Sequence, residues 1–443
     1  MDENEHHIAT PLNVNAQLNP SFRKLHSAVL IENRLYIFGG FMDNADPKLL
    51  TDPNNVFFYL DMSIPFDTSS LPWRAIPDND KNLPLESLST IFTGGVAASI
   101  GGINNHTIFF INNESTNATS PVHSYDSQNN LWNTQIISGD KPIGRNQMKV
   151  ITDYKGKIYL LTGFDFTDQA GVNRTSGMFI LDTINLNCVI RDAPISRLGY
   201  SATLLPNGII VYIAGSERNY NIPPNNFNEI YLYDTNNDKW DIKLATGNIP
   251  TSDAGISSVL GLDGSRIIVF GGVADSDNFL NVLDLTNYEW FVPEVRGKGP
   301  VFNRGEHTAN VVGKYMVIAF GSNTISQVKY KSSGESDVLL LDISNDSEYI
   351  WTTSFDPTPL TNLNSTSSSP AEPLASSEND NKTIIIGCII GLILLVSILS
   401  VVSAYFFIRY RENIKKTFQT SGSENGKISI PSEYDLSYGK SIK

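Results

Sequence analysis

Ile268-Val269-Phe270-Gly271-Gly272, followed by Asp284 and then Trp290, is one copy of a unit that recurs six times between Arg23 and Trp351. Each copy has an apolar strand ending near glycine, then a strand ending in aspartate, then usually a tryptophan. The aspartates are Asp61, Asp126, Asp182, Asp234, Asp284 and Asp342, spaced 50 to 65 residues apart. That is the period of a propeller blade rather than of a helical solenoid. Trp73, Trp132, Trp240, Trp290 and Trp351 follow six to twelve residues after their aspartates, and the third copy has Cys188 instead. The repeated aspartate is expected to satisfy backbone donors at a turn.

Outward from that stretch, the first strand of a unit opens on Arg23-Lys24-Leu25-His26, Arg197-Leu198-Gly199-Tyr200 and Arg304-Gly305-Glu306-His307. The second strand ends at Gly39-Gly40 and Gly271-Gly272, and in weaker versions at Gly163, Gly215 and Gly321. Glycine fits where the chain turns and neighbouring blades approach too closely for a side chain. The aromatic and β-branched runs are expected to bury one sheet face against the next blade. Taken together the copies resemble the kelch repeat over about three quarters of the chain. The resemblance implies an all-β, six-bladed propeller over residues 22–355, of the galactose oxidase or attractin-like kind.

Some kelch propellers are copper oxidases, whose chemistry needs two histidines, two tyrosines and a cysteine joined to one of them. Six histidines and two cysteines are available here. His6 and His7 sit near the N-terminus, His26 and His307 share one repeat position with Tyr200, His106 lies in an Asn-x-Thr triplet, and His123 is expected just before the third strand of the second copy. Cys388 lies in an apolar segment and Cys188 stands where tryptophan belongs. No copper site, nucleophile elbow or phosphate loop can be assembled from these residues. The expectation is a non-enzyme without a cofactor. A divergent oxidase-like or carbohydrate-active ectodomain is the alternative. The formal charge of −14 argues against nucleic acid as a partner, because phosphates demand a basic face.

Residues 383–408 carry no charge. At ~1.5 Å per residue they make about 39 Å of helix, enough to cross a ~30 Å hydrocarbon layer with some tilt. Arg409, Arg411, Lys415 and Lys416 follow, so the positive-inside rule predicts a cytoplasmic tail, residues 409–443, and a propeller outside or in a lumen. The implied partners are the bilayer and an unknown protein or glycan ligand on the propeller loops. Asn105, Asn113, Asn117, Asn173, Asn345 and Asn364 open glycosylation triplets, all on the proposed outer side, and Asn381 opens one close to the membrane. Residues 356–381, rich in proline, serine and threonine, read as an extended stalk.

Residues 1–21 form an N-terminal segment with no apolar stretch resembling a signal peptide. Two readings stay open: a true start upstream of Met1, which is favoured, or insertion directed by the membrane helix. Gly387 and Gly391 have the spacing that lets two membrane helices pack closely, giving a candidate homodimer contact. The reading as a whole is a single-pass, type I membrane glycoprotein displaying a binding or adhesion module.

Overall fold

The computed structural model describes residues 18–42, 48–49, 52–77, 97–111, 122–140, 149–161, 177–216, 227–251, 254–272, 279–322 and 334–358. The membrane segment 383–408, the tail, Gly163, Gly387, Gly391, Asn113, Asn117, Asn173 and Asn364 lie outside them, as do residues 1–17 and most of the stalk. No helix among the described residues is long and apolar enough to cross a membrane.

Six antiparallel sheets of four consecutive strands follow one another along the chain. Blade one is Ser27–Ile31, Arg34–Phe38, Phe57–Asp61 and Trp73–Ala75; blade two is Ala97–Gly101, Thr107–Ile111, Val122–Asp126 and Leu131–Gln135. Blade three is Val150–Thr152, Lys157–Leu161, Gly177–Asp182 and Asn187–Asp192; blade four is Ser201–Leu204, Ile209–Ile213, Glu229–Asp234 and Lys239–Leu244. Blade five is Ile256–Leu260, Arg266–Gly271, Leu280–Asp284 and Glu289–Phe291; blade six is Thr308–Val312, Tyr315–Ala319, Val338–Asp342 and Tyr349–Thr352. The first strands neighbour one another in a closed cycle, so the sheets ring a central channel.

The apolar runs bury both faces of each blade, where the sequence reading assigned them one. In blade one, Leu35 and Ile37 pack with Val317 and Leu340 of blade six, while Tyr36 and Phe38 pack with Ile108 and Phe110 of blade two. Successive strand side chains point to opposite faces, so a continuous apolar strand is what a sheet clamped between two others requires. Every other seam has a core of the same kind.

Each repeated aspartate is the last residue of a third strand and accepts from the backbone two residues on. Asp61 Oδ1 accepts from Ser63 N (3.1 Å), Asp126 from Gln128 N (2.9 Å) and Asp182 from Ile184 N (3.0 Å). Asp234 accepts from Asn236 N (2.8 Å), Asp284 from Thr286 N (2.8 Å) and Asp342 from Ser344 N (3.0 Å). The tryptophans occupy one register, each opposite the residue before the aspartate: Leu60↔Trp73, Tyr125↔Trp132, Tyr233↔Trp240, Leu283↔Trp290 and Leu341↔Trp351. Leu181↔Cys188 puts the buried cysteine at that same place.

The seam between the chain's two ends closes without strand exchange among the described residues, since blades one and six each draw all four strands from a single stretch of the chain. The long Asp61–Trp73 interval has a reason here. It carries a short strand, Phe66–Asp67, that pairs with Ser354–Phe355 beyond blade six. Phe66 stacks on Phe355 with centroids 4.8 Å apart, Thr68 N donates to Thr353 O (2.7 Å), and Thr353 Oγ1 donates to Asp67 Oδ2 (2.8 Å). Three other seams are fastened differently. Ser138–Gly139, Thr246–Gly247 and Val295–Arg296 each run parallel to the outer strand of the next blade.

Candidate functional site

The channel mouth is built from the turns that open the first strands. Leu25, Gly199, Gly255 and Glu306 hold equivalent places and all have positive φ, from 56° to 70°. Their backbones form a chain across the blades: Gly255 N donates to Gly199 O (3.0 Å), Glu306 N to Gly255 O (2.8 Å), and Leu25 N to Glu306 O (2.9 Å). The last bond crosses the closing seam in the same manner as the others, and Lys24 Nζ reinforces it at 3.2 Å from Glu306 Oε2.

The arginines three residues before His26, Tyr200 and His307 belong to this frame. Arg23 is fully buried and donates to Gly39 O (2.9 Å) and Asn55 O (2.7 Å), with its guanidinium over Phe58. Arg304 pairs with Glu335 at 2.7 Å, and Arg197 approaches Glu229 at 3.6 Å over the Tyr231 ring. Arg23 and Arg197 tie the end of their second strand to the start of their third, and Arg304 holds the start of its third, which leaves these cations engaged in structure.

His26, Tyr200 and His307 each reach back to the preceding blade. His26 Nε2 lies 2.9 Å from Thr308 Oγ1, His307 Nε2 bonds Ser257 Oγ, and Tyr200 Oη donates to Lys149 O (2.7 Å). Burial holds both imidazoles well below the ordinary histidine range. For His26 the charges of Arg23, Lys149 and His307 add to the effect, and for His307 those of Lys149 and Arg304.

One residue further on, the strand registers align Ser27, Ala97, Ser201, Ser257 and Thr308 around the channel. Counting along blade three, where Val150 faces Leu160, puts Lys149 in the sixth place of that ring. Five members are small or hydroxylic and one is a lysine. All but Ala97, in whose place blade two offers Ala98, line a cavity of about 210 Å³ with their neighbours. Lys149 Nζ crosses from blade three to the opposite blade, 3.4 Å from His307 O. Burial draws its ammonium down to about 8. The sequence reading missed this residue because the third copy was not aligned at its opening. Arg145-Asn146-Gln147-Met148-Lys149 fits the Arg23-to-Ser27 pattern and would have shown a lysine at a hydroxyl position.

The glycines singled out from the sequence divide by role. Registers place Gly39 with Ala214, Gly271 and Phe320, all at positive φ, and Gly40 with Gly215, Gly272 and Gly321 one residue later. The weaker copies therefore keep the second glycine and replace the first. A Cβ at Gly40 would meet His26 Cβ at 2.8 Å, and at Gly321 it would meet His307 Cβ at 2.6 Å, both within one blade. At Gly271 it would strike Arg304 O of the following blade. Of the glycosylation candidates, Asn105 and Asn345 are exposed on turns at the same end of their blades, joining first to second and third to fourth strands.

His26 and His307 both border the channel cavity, whereas His123 lies within the third strand of blade two rather than just before it, and Cys188 lies on the outer strand of blade three. Among the described residues no group of three His, Cys, Asp or Glu side chains could hold a metal ion.

Comparison with known proteins agrees with this architecture. Residues 199–388 match the family model described as the KLHDC2/KLHL20/DRC7 Kelch-repeats domain. Kelch domain-containing protein 3 of Rattus norvegicus is 25% identical over 348 residues, covering 72% of this chain and 84% of the relative, and that of Homo sapiens is 24% identical over the same length. Acyl-CoA-binding domain-containing protein 4 of Arabidopsis thaliana is 24% identical over 153 residues, 34% of this chain and 21% of the relative. The solved structure titled "Structure of YjhT" superposes with a TM-score of 0.50 at 15% identity, covering 75% of this chain and 98% of that one, and shows the fold alone. Six closed blades with shared aspartate, tryptophan and glycine registers make the described body a six-bladed β-propeller, and these matches make it similar to kelch-repeat domains.

Proposed function

We propose that the propeller is a protein-binding module carried on a single-pass membrane anchor, with the ring outside the cytoplasm and the basic tail within it. What carries the reading is how the repeated polar residues are used. The aspartates cap turns, the arginines fasten the second-to-third-strand connections, and the histidines staple blades, so recognition falls to the connections that vary from blade to blade. The uncharged 383–408 segment and the four basic residues after it support the anchor and its direction. Asn105 and Asn345, exposed on turns, are accessible acceptors for glycan if the ring enters the secretory pathway. A glycan ligand on the same connections is the alternative recognition chemistry.

The test uses the full chain in cells. A photo-crosslinking residue placed in connection 217–226 is expected to capture a discrete protein partner, and the same residue at Leu244 on the perimeter is not. Capture from the perimeter alone overturns the binding surface. Protease added to sealed right-side-out vesicles should release the ring and leave a tail-tagged fragment protected. A protected ring with a digested tail overturns the orientation.

A further inference from the structure

We propose that the central channel is a reversible covalent site for a small aldehyde, with Lys149 as the amine that takes it up. The geometry carries this. Lys149 interrupts a ring otherwise made of Ser27, Ala97, Ser201, Ser257 and Thr308, so it is the one amine at that level of the channel. Among the described residues its Nζ has a single hydrogen-bond acceptor, His307 O at 3.4 Å, and no carboxylate lies within ion-pair distance of it. Glu306, which borders the same cavity, is committed to Lys24. A part-buried lysine with no counter-ion favours its neutral, nucleophilic form more than a free lysine does. The cavity of about 210 Å³ is somewhat larger than the ~150 Å³ that takes a benzene ring, which suits a small aldehyde.

The chemistry balances without an oxidant. The Nζ lone pair attacks the carbonyl carbon, the C=O π bond breaks, and its oxygen takes a proton to give a carbinolamine. Loss of water then forms the C=N bond, the amine nitrogen giving up its two hydrogens in the process. The neutral rings of His26 and His307 border the cavity and can relay those protons. With its ammonium drawn down to about 8, Lys149 is ~20% neutral at pH 7.4, against ~0.1% for an ordinary lysine, or about 200-fold more free amine.

The experiment treats the full chain, in mild detergent, with benzaldehyde and cyanoborohydride and maps the trapped lysines by mass spectrometry. Lys149 is expected to label at least about tenfold faster than the median lysine, with a half-maximal rate near pH 8. Lys149→Arg should remove that fast site and leave the others unchanged. A pyrene aldehyde, too large for the cavity, should label exposed lysines only. Uniform labelling, a Lys149 rate still climbing at pH 10, or equal labelling of Lys149 by both aldehydes overturns the proposal, and all three are read on the native chain, so none depends on how well the variant folds.

Discussion

Acid should loosen the ring at its histidines. His26 and His307 are neutral in the folded state because burial and nearby cations disfavour their charged forms, whereas in the unfolded chain they titrate near ~6.5. The unfolded state therefore binds more protons once the pH falls below that value. The stability the neutral rings confer is complete above ~6.5 and is lost progressively as pH drops through it. Between pH 7.5 and 5.5 the loss can reach about 1.4 kcal/mol for each histidine, or about 2.7 kcal/mol for the pair, the limit in which both rings stay neutral. Unfolding roughly 330 residues at ~2.1 cal/mol/K each gives an entropy of ~0.7 kcal/mol/K, so in that limit the pair lowers Tm by about 4 °C over that interval. His123, also lowered by burial, adds a smaller term of the same sign. The check is thermal unfolding from pH 7.5 to 5.5 of the native chain and of a His26→Gln, His307→Gln variant, whose amides can still bond Thr308 and Ser257. Whatever the variant's starting Tm, its pH slope should flatten to the residue left by His123. An unchanged slope would refute the assignment of acid sensitivity to these two staples.

Four further outcomes are expected. Gly271→Val should cost about 3 kcal/mol or more, seen as a fall of at least ~4 °C in Tm, because its Cβ would strike Arg304 O and its φ of 81° strains any branched residue. Ala214→Gly, at φ 58°, should be neutral or stabilising by up to about 0.5 kcal/mol, whereas Gly215→Ala next to it should destabilise measurably; the reverse order would mean the two positions are misaligned. Replacing Arg409, Arg411, Lys415 and Lys416 together by Gln should raise the fraction of chains with an externally accessible C-terminal tag. Gly387→Ile with Gly391→Ile should reduce self-association of the membrane segment, and equal association signals from native and doubly substituted segments would assign the glycines to lipid contact.

The sequence by itself determined the repeat, the number of blades, the aspartate turns, the tryptophan register and even the place of Cys188, because these are local features. A strand of fixed length ending in a turn leaves the same mark in each copy. It also determined that residues 383–408 are long and apolar enough to span a bilayer. Only the tertiary structure decided what meets across the ring. Phe66 finds Phe355, His26 finds Thr308, and Lys149 finds His307 between residues that are 289, 282 and 158 positions apart. Both faces of each sheet are buried for the same reason, since the second face is covered by a blade some fifty residues away. No window of sequence holds such pairs together. The physical cause is closure: bending six sheets into a circle brings the two ends of the chain to one seam and converts one position of the repeat into a ring around a channel. There a single departure from the pattern, lysine among small residues, becomes a chemical feature rather than a surface substitution.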